Sequence, residues 1–332
     1  MFGDLVFRMA SGEYANQILL IDEDHLESRT NYSEDFLQHG FQVIRYTNDL
    51  DFRIHHGEQL KDSNNKIVIV ADPKQYIPYD MQKRLSAYAV SLARLFPRLN
   101  CEALRDMSRM DFDLICSASK EDYDKHPSVA ETEFFIRTKV YGQANVQRYL
   151  VNEYAELKKK AEQCKDYREW FLIAETKARI DSMSVFYELE LDTSEINLLF
   201  RDYMLEQYSK LSTQMNPDTP VLVSGAMEYM KDHSDRFVIL VMDGMSEFDW
   251  NILSSTFAGY RYRKTSAFAM IPTVTSVSRQ CLLSGKYPRE LMNPWTQSKE
   301  KLEFTECAKR LGYTDKQISY QRGYDAVFSH NH

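Results

Sequence analysis

At 332 residues with 43% hydrophobic side chains, the chain is long enough for two or three domains with cores of their own. A formal net charge of −8 argues against broad electrostatic binding to nucleic acid, and no segment approaches the apolar length needed to span a bilayer. Five cysteines, at 101, 116, 164, 281 and 307, show no CxxC spacing. With an N-terminus that lacks a signal-peptide pattern, they read as free thiols of a reducing, cytoplasmic compartment.

The first region, about residues 1–127, alternates strand and helix signals. Ile18-Leu19-Leu20-Ile21 runs into Asp22-Glu23-Asp24, Phe41-Gln42-Val43-Ile44 follows a helical stretch, and Ile67-Val68-Ile69-Val70 ends at Ala71-Asp72-Pro73. Asp113-Leu114-Ile115-Cys116 is the candidate for a fourth strand, and Gln82–Phe96 reads as an amphipathic helix. Short apolar strands separated by helical patterns predict a Rossmann-like parallel sheet with covering helices. The acids Asp22, Glu23, Asp24 and Asp72, with Lys120, carry a faint likeness to a phospho-accepting receiver domain. Aspartate at a strand end is, however, common in any α/β sheet. His55-His56 is an i,i+1 pair whose side chains diverge, which disfavours a shared metal.

The second region, about 128–215, is predicted to be helical. Ser128 and Glu131 have capping-box spacing, Asp192 is placed to cap a later helix, and Ile196, Leu199, Phe200 and Tyr203 recur at helical spacing. Tyr149, Trp170, Phe171 and their aromatic neighbours read as helix-packing residues, and Glu156–Lys160 as a solvated face. Asn216-Pro217-Asp218-Thr219-Pro220 marks a boundary, followed by a short helix near Val221–Lys231.

The third region, 216–332, holds the most informative pattern. The run Phe237-Val238-Ile239-Leu240-Val241-Met242 stops at Asp243-Gly244, as a strand buried on both faces would. Ligands in α/β sheets sit past the carboxyl ends of such strands, where Asp243 falls. Downstream, Ile271-Pro272-Thr273-Val274-Thr275-Ser276 reads as a turn into a helix, with a hydroxyl at Thr273, Thr275 or Ser276 available as its cap. A helix start offers free amides and a positive dipole end, a natural phosphate site. A metal-holding carboxylate and a hydroxyl facing a phosphate are two parts of metal-assisted phosphoryl transfer. Between them, Tyr260-Arg261-Tyr262-Arg263-Lys264 mixes cations with aromatics and is read as a solvated strand or loop.

The segments Val238–Gly244 and Pro272-Thr273-Val274-Thr275, with Cys281-Leu282-Leu283-Ser284-Gly285-Lys286-Tyr287-Pro288, resemble the start of a PglZ domain. Weaker likeness extends to Tyr76–Asp80 and Leu95–Asn100. PglZ domains belong to the alkaline phosphatase superfamily of metal-dependent phosphatases and phosphodiesterases, and many act in BREX phage-defence systems. The resemblance implies an alkaline-phosphatase-like α/β domain, with Asp243 as a metal ligand and Thr275 as nucleophile and metal ligand. It implies divalent metal, Zn or Mn at two sites in a complete domain. It also implies a phosphate-ester substrate, such as a nucleotide or nucleic acid, and other phage-defence proteins as partners. The Pro-Thr-x-Thr likeness favours Thr275 over Thr273 and a diester over a monoester. Ser278 stands where diesterase relatives carry a phosphate-contacting asparagine.

The family's late Asp–His pair has no counterpart after Thr275. Asp24-His25 and Asp232-His233 precede it, and His330 and His332 lie at the extreme C-terminus. The chain is therefore expected to carry the N-terminal part of such a domain without its later ligands. A non-catalytic scaffold or interaction subunit of a defence complex is the alternative. Arg279 and Lys286 are candidates to meet phosphate oxygens, against the plainer reading of surface charges.

Overall fold

The structure, a computed structural model, describes residues 1–118, 125–214, 216, 218–257 and 259–322. Lys120, Pro217, His330 and His332, singled out above, lie outside them. The chain is mixed α/β and divides into two compact units, Met1–Asn152 and Glu153–His332.

The first unit is built on an all-parallel four-stranded sheet. In chain order its elements are α1 (Phe2–Met9), β1 (Gln17–Asp22), α2 (Glu27–Thr30), α3 (Ser33–Gln38), β2 (Gln42–Arg45), α4 (Asp49–His56) and β3 (Ile67–Ala71). There follow α5 (Tyr79–Gln82), β4 (Ser86–Val90), α6 (Leu92–Leu95), α7 (Arg109–Ser117), α8 (Val129–Phe135) and α9 (Gln143–Gln163). The strand order is β2-β3-β1-β4, with Leu19 opposite Ile69 on one side and Ala87 on the other. The two central strands are the most apolar: every residue of β3 is buried, as are Ile18, Leu19 and Leu20 of β1. One face packs Leu19, Ile44, Ile67 and Ile69 against Phe52, Leu60, Ile77 and Met81. Elsewhere in the unit, Phe2 stacks on Phe112 and Phe96, with ring centroids 4.9 and 6.2 Å apart.

Two sequence expectations fail here. Asp113–Cys116 is not a strand but the end of α7, which a Ser108–Asp111 capping box starts. Its apolar residues Phe112, Leu114 and Ile115 are buried, and Asp113 accepts the Phe2 amide at 2.7 Å. The fourth strand is instead β4, inside the stretch read as a helix. Ser86-Ala87-Tyr88-Ala89-Val90 pairs along β1, and tertiary pairing overrides the helical preference of its alanines.

The second unit is largely helical in its described residues. It contains α10 (Tyr167–Phe186), α11 (Ser194–Leu211), α12 (Ala226–His233), α13 (Glu247–Ser254), α14 (Thr275–Ser284) and α15 (Glu300–Arg310). Helix α12 starts later than expected because Val221 and Val223 exchange backbone hydrogen bonds with Phe268, forming a parallel bridge at Leu222. Asp192 does bond near the start of α11, accepting the Ser194 amide at 2.9 Å.

The expected core strand is the main departure. Residues Phe237–Met242 join no strand, and none of their backbone groups enters a ladder among the described residues. Val238 is 94% and Leu240 84% exposed, while Phe237, Ile239 and Val241 are half-buried. A run apolar on both faces needs neighbours along both edges and over both faces. The described residues supply cover to one face only.

One buried polar group tests the first unit directly. Tyr32 is fully buried, its hydroxyl has no hydrogen-bond partner among the described residues, and burial beside Asp22 and Glu27 drives its pKa upward. An unpaired buried hydroxyl costs more than a methine of the same shape. Tyr32→Phe is therefore expected to stabilise the protein by about 1 kcal/mol, read as a higher urea midpoint at unchanged slope. A lower midpoint would mean that the hydroxyl is satisfied.

Candidate functional site

Helix α14 begins as the sequence suggests, just past Pro272, and ends at Gly285 with φ 67°, a left-handed cap that glycine adopts without strain. No side chain caps its start, so the expectation that Thr273, Thr275 or Ser276 does so is not met. Val274 occupies the cap position, and Thr275 is the first helical residue. The Thr275 side chain is exposed, and no hydrogen bond engages its hydroxyl among the described residues. The amides of Val277 and Ser278 both turn to the Val274 carbonyl at 3.0 Å. Those of Thr275 and Ser276 have no backbone acceptor among the described residues, leaving two donors beside the hydroxyl.

Asp243 is followed by Gly244 at φ 72°, which turns the chain after the apolar run. Its carboxylate is partly exposed and lies 3.4 Å from Nη1 of Arg279. Arg279 is four residues beyond Thr275 on α14, and side chains at that spacing share a helix face. Asp243 is thereby linked, through Arg279, to the helix that Thr275 opens. The contact itself is long and solvated, so it contributes little to stability.

The strong partner of Arg279 is on α15. Its Nε donates to Glu300 Oε2 at 2.7 Å and its Nη2 to Oε1 at 2.5 Å, a two-pronged pair with a carboxylate only 1% exposed. The Tyr320 hydroxyl also donates to Glu300. Burial alone would raise the Glu300 pKa, but the bonds from Arg279 and Tyr320 outweigh it and hold the group below the ordinary glutamate value. Just past the end of α14, Lys286 Nζ meets the fully buried Glu303 of α15 at 2.5 Å, and Glu303 also accepts the Met292 amide at 2.9 Å. Buried Gln280 completes the seam, its amide nitrogen donating to the Asn293 and Thr296 carbonyls at 3.1 and 3.0 Å.

Arg279 and Lys286 are thus committed to buried glutamates, and neither is the surface charge that the sequence suggested. Sequence reasoning missed Glu300, Glu303 and Tyr320 altogether. Their signal was faint: Glu300, Glu303 and Cys307 follow helical spacing along one face of α15, acids where core residues are expected.

The other sequence candidates do not join this site. Asp232 and His233 end α12, where His233 Nδ1 contacts the Tyr229 carbonyl at 2.7 Å. Asp24 accepts the Leu92 amide at 2.6 Å, and His25 pairs with Asp72 at 3.2 Å. Asp22 accepts the Leu26 and Glu27 amides, at 2.9 and 2.7 Å. These acids of the first unit hold turns in place, so a receiver-like acidic cluster is not supported. His55 lies 3.6 Å from Asp51 on its own helix.

Asp243 and Thr275 offer two oxygen donors for a metal. Among the described residues no three His, Cys, Asp or Glu side chains gather to hold one. Asp243 and Thr275 are the two ligands that the PglZ resemblance assigns to this chain, and no step routed through a metal follows from them alone. All five cysteines are free, and burial pushes the Cys281 thiol up to about 12. Among the described residues no helix is long and apolar enough to cross a membrane. Comparison with protein-family models, curated proteins and solved structures finds no match for this chain.

Two outcomes are expected from the α14–α15 seam. Glu303→Ala leaves the Lys286 ammonium with the longer Glu306 contact at 3.8 Å and the Met292 amide without this acceptor, and should cost about 3–5 kcal/mol in a urea titration, as broken buried pairs do. A loss below 1 kcal/mol would mean that the pair behaves as a surface contact. For Glu300, a folded pKa below its unfolded value means that the unfolded state binds protons more readily as pH falls. Its stabilisation is therefore present above about pH 4.5, the ordinary glutamate value, and is lost as pH drops through the lower folded pKa. Glu300→Gln should flatten that acid limb of the stability curve. An unchanged limb would remove Glu300 as its cause.

Proposed function

We propose that the second unit carries the nucleophile-bearing part of a phosphoryl hydrolase of the PglZ kind, with Thr275 as the attacking residue. The observation that carries this reading is the contact of Asp243 with Arg279, one helical turn along α14 from Thr275. A strand-end carboxylate and a helix-start hydroxyl are the two parts that the sequence resemblance pairs, and they are far apart in the chain.

In the proposed reaction Thr275 Oγ attacks phosphorus in line. The Oγ–P bond forms, the ester P–O bond breaks, and the leaving alcohol takes up a proton. Water then attacks the phosphothreonine, releasing phosphate or a phosphomonoester and restoring the hydroxyl. The unpaired amides of Thr275 and Ser276 are positioned to donate to the equatorial oxygens as charge builds there. The Pro272-Thr273-Val274-Thr275 likeness favours a diester, and the resemblance favours a role in phage defence and a supplied divalent metal such as Zn or Mn.

The competing reading is a non-catalytic scaffold in a defence complex. It is favoured by the exposed side chains of Val238 and Leu240, and among the described residues no three metal-ligating side chains gather. The two separate cleanly with bis(4-nitrophenyl) phosphate and added Mn²⁺ or Zn²⁺. The hydrolase reading expects turnover, a phosphorylated Thr275 by mass spectrometry, and a fall of roughly a thousandfold or more in Thr275→Ala with the fold intact. Full activity in that variant would remove Thr275 from the mechanism. No turnover, together with no metal bound beyond one weak site, favours the scaffold.

A further inference from the structure

The segment after α13 has a surface that neither phosphoryl transfer nor packing uses. Tyr260 and Tyr262 are 73% and 55% exposed, yet both rings are held in place. Tyr260 and Phe257 make a T-shaped contact with centroids 6.1 Å apart, and Tyr262 stands perpendicular to Trp250 at 5.6 Å. Phe257 and Trp250 stack on each other at 5.9 Å. The four rings form one connected aromatic platform in which both tyrosines remain largely exposed.

The charges beside the platform are not alike. Lys264 is consumed by Glu247, with Glu175 at 3.4 Å, which anchors the segment's far end. Arg261 and Arg263 are exposed and have no ion-pair or hydrogen-bond partner among the described residues. In a chain of net charge −8, two exposed arginines without an acidic partner among the described residues, adjacent in sequence to Tyr260 and Tyr262, are a local concentration of positive charge. The structure therefore presents exposed tyrosine rings and free guanidinium groups in one short segment.

We propose that Tyr260, Arg261, Tyr262 and Arg263 form a binding surface for single-stranded nucleic acid. Unpaired bases stack on the tyrosines and the arginines meet the phosphates, a pairing that tolerates sequence because every base has a π face. Charge complementarity selects a polyanion. The exposed rings select one with unstacked aromatic bases over a duplex, whose bases are stacked inside. The surface is independent of Thr275, so it stands or falls apart from the hydrolase reading.

Fluorescence anisotropy of a labelled oligothymidylate, titrated with the full chain at low salt, tests it. Saturable binding is expected, and Tyr260→Ala/Tyr262→Ala should weaken it roughly 5- to 150-fold per stacked base lost. Tyr260→Phe/Tyr262→Phe, which keeps the rings, should bind like the parent. Arg261→Ala/Arg263→Ala should weaken binding and reduce the slope of log affinity against log salt by about 1.4, the share of two single-strand phosphates. Three results would overturn the proposal: no binding by the parent chain, equal binding by the alanine variants, or inorganic polyphosphate competing as well as the oligonucleotide. The last would mean that charge acts without the rings.

Discussion

The geometry around Thr275 depends on two cations held by buried carboxylates. Arg279 is gripped by Glu300 and Lys286 by Glu303, and both glutamates sit on α15 with almost no solvent contact. A buried pair is costly to desolvate, so its value lies less in net stability than in the penalty for any arrangement that separates it. Sliding or rotating α14 against α15 would strand up to four charges at once. The register of the two helices, and with it the position of Thr275 at the head of α14, is therefore strongly specified. Asp243 benefits at second hand: its own contact with Arg279 is weak, but the guanidinium it meets is fixed by a stronger partner.

This arrangement also bears on what Arg279 can do. A guanidinium with two prongs on Glu300 has Nη1 left to point toward Asp243, and it cannot swing freely to a phosphate without breaking a bidentate bond. In the proposed reaction its role is therefore one of positioning, and the helix amides are left to meet an anion. Rigid support behind a lightly held surface carboxylate suits a site whose outer parts must accommodate a ligand.

Much of the first unit was legible in the sequence because its signals are local. Three of four strands, the capping box at Ser128 and the parallel arrangement all follow from short apolar runs set between helical stretches. The strand at Ser86–Val90 was hidden because alanine-rich, amphipathic composition looks helical until β1 is there to pair with it. At the candidate site, the helix after Pro272 and the exposed Thr275 could be anticipated from proline and hydroxyl placement. The glutamates of α15 could not, because a buried acid is recognisable only once its cation is seen across the interface. The run 237–242 failed for the opposite reason. Its composition states clearly what it needs, and the described residues do not surround it.

That same hexapeptide, Phe237 to Met242, has a colloidal consequence. It is uncharged, rich in β-branched residues and free of proline and glycine, the composition of segments that stack into ordered aggregates when left accessible. Arg236 and Asp243 flank it as gatekeepers, one charge at each end, and they interrupt stacking by repulsion between like copies. The shelf life of the purified chain, and its tolerance of high salt that screens those two charges, will therefore be governed by this short stretch.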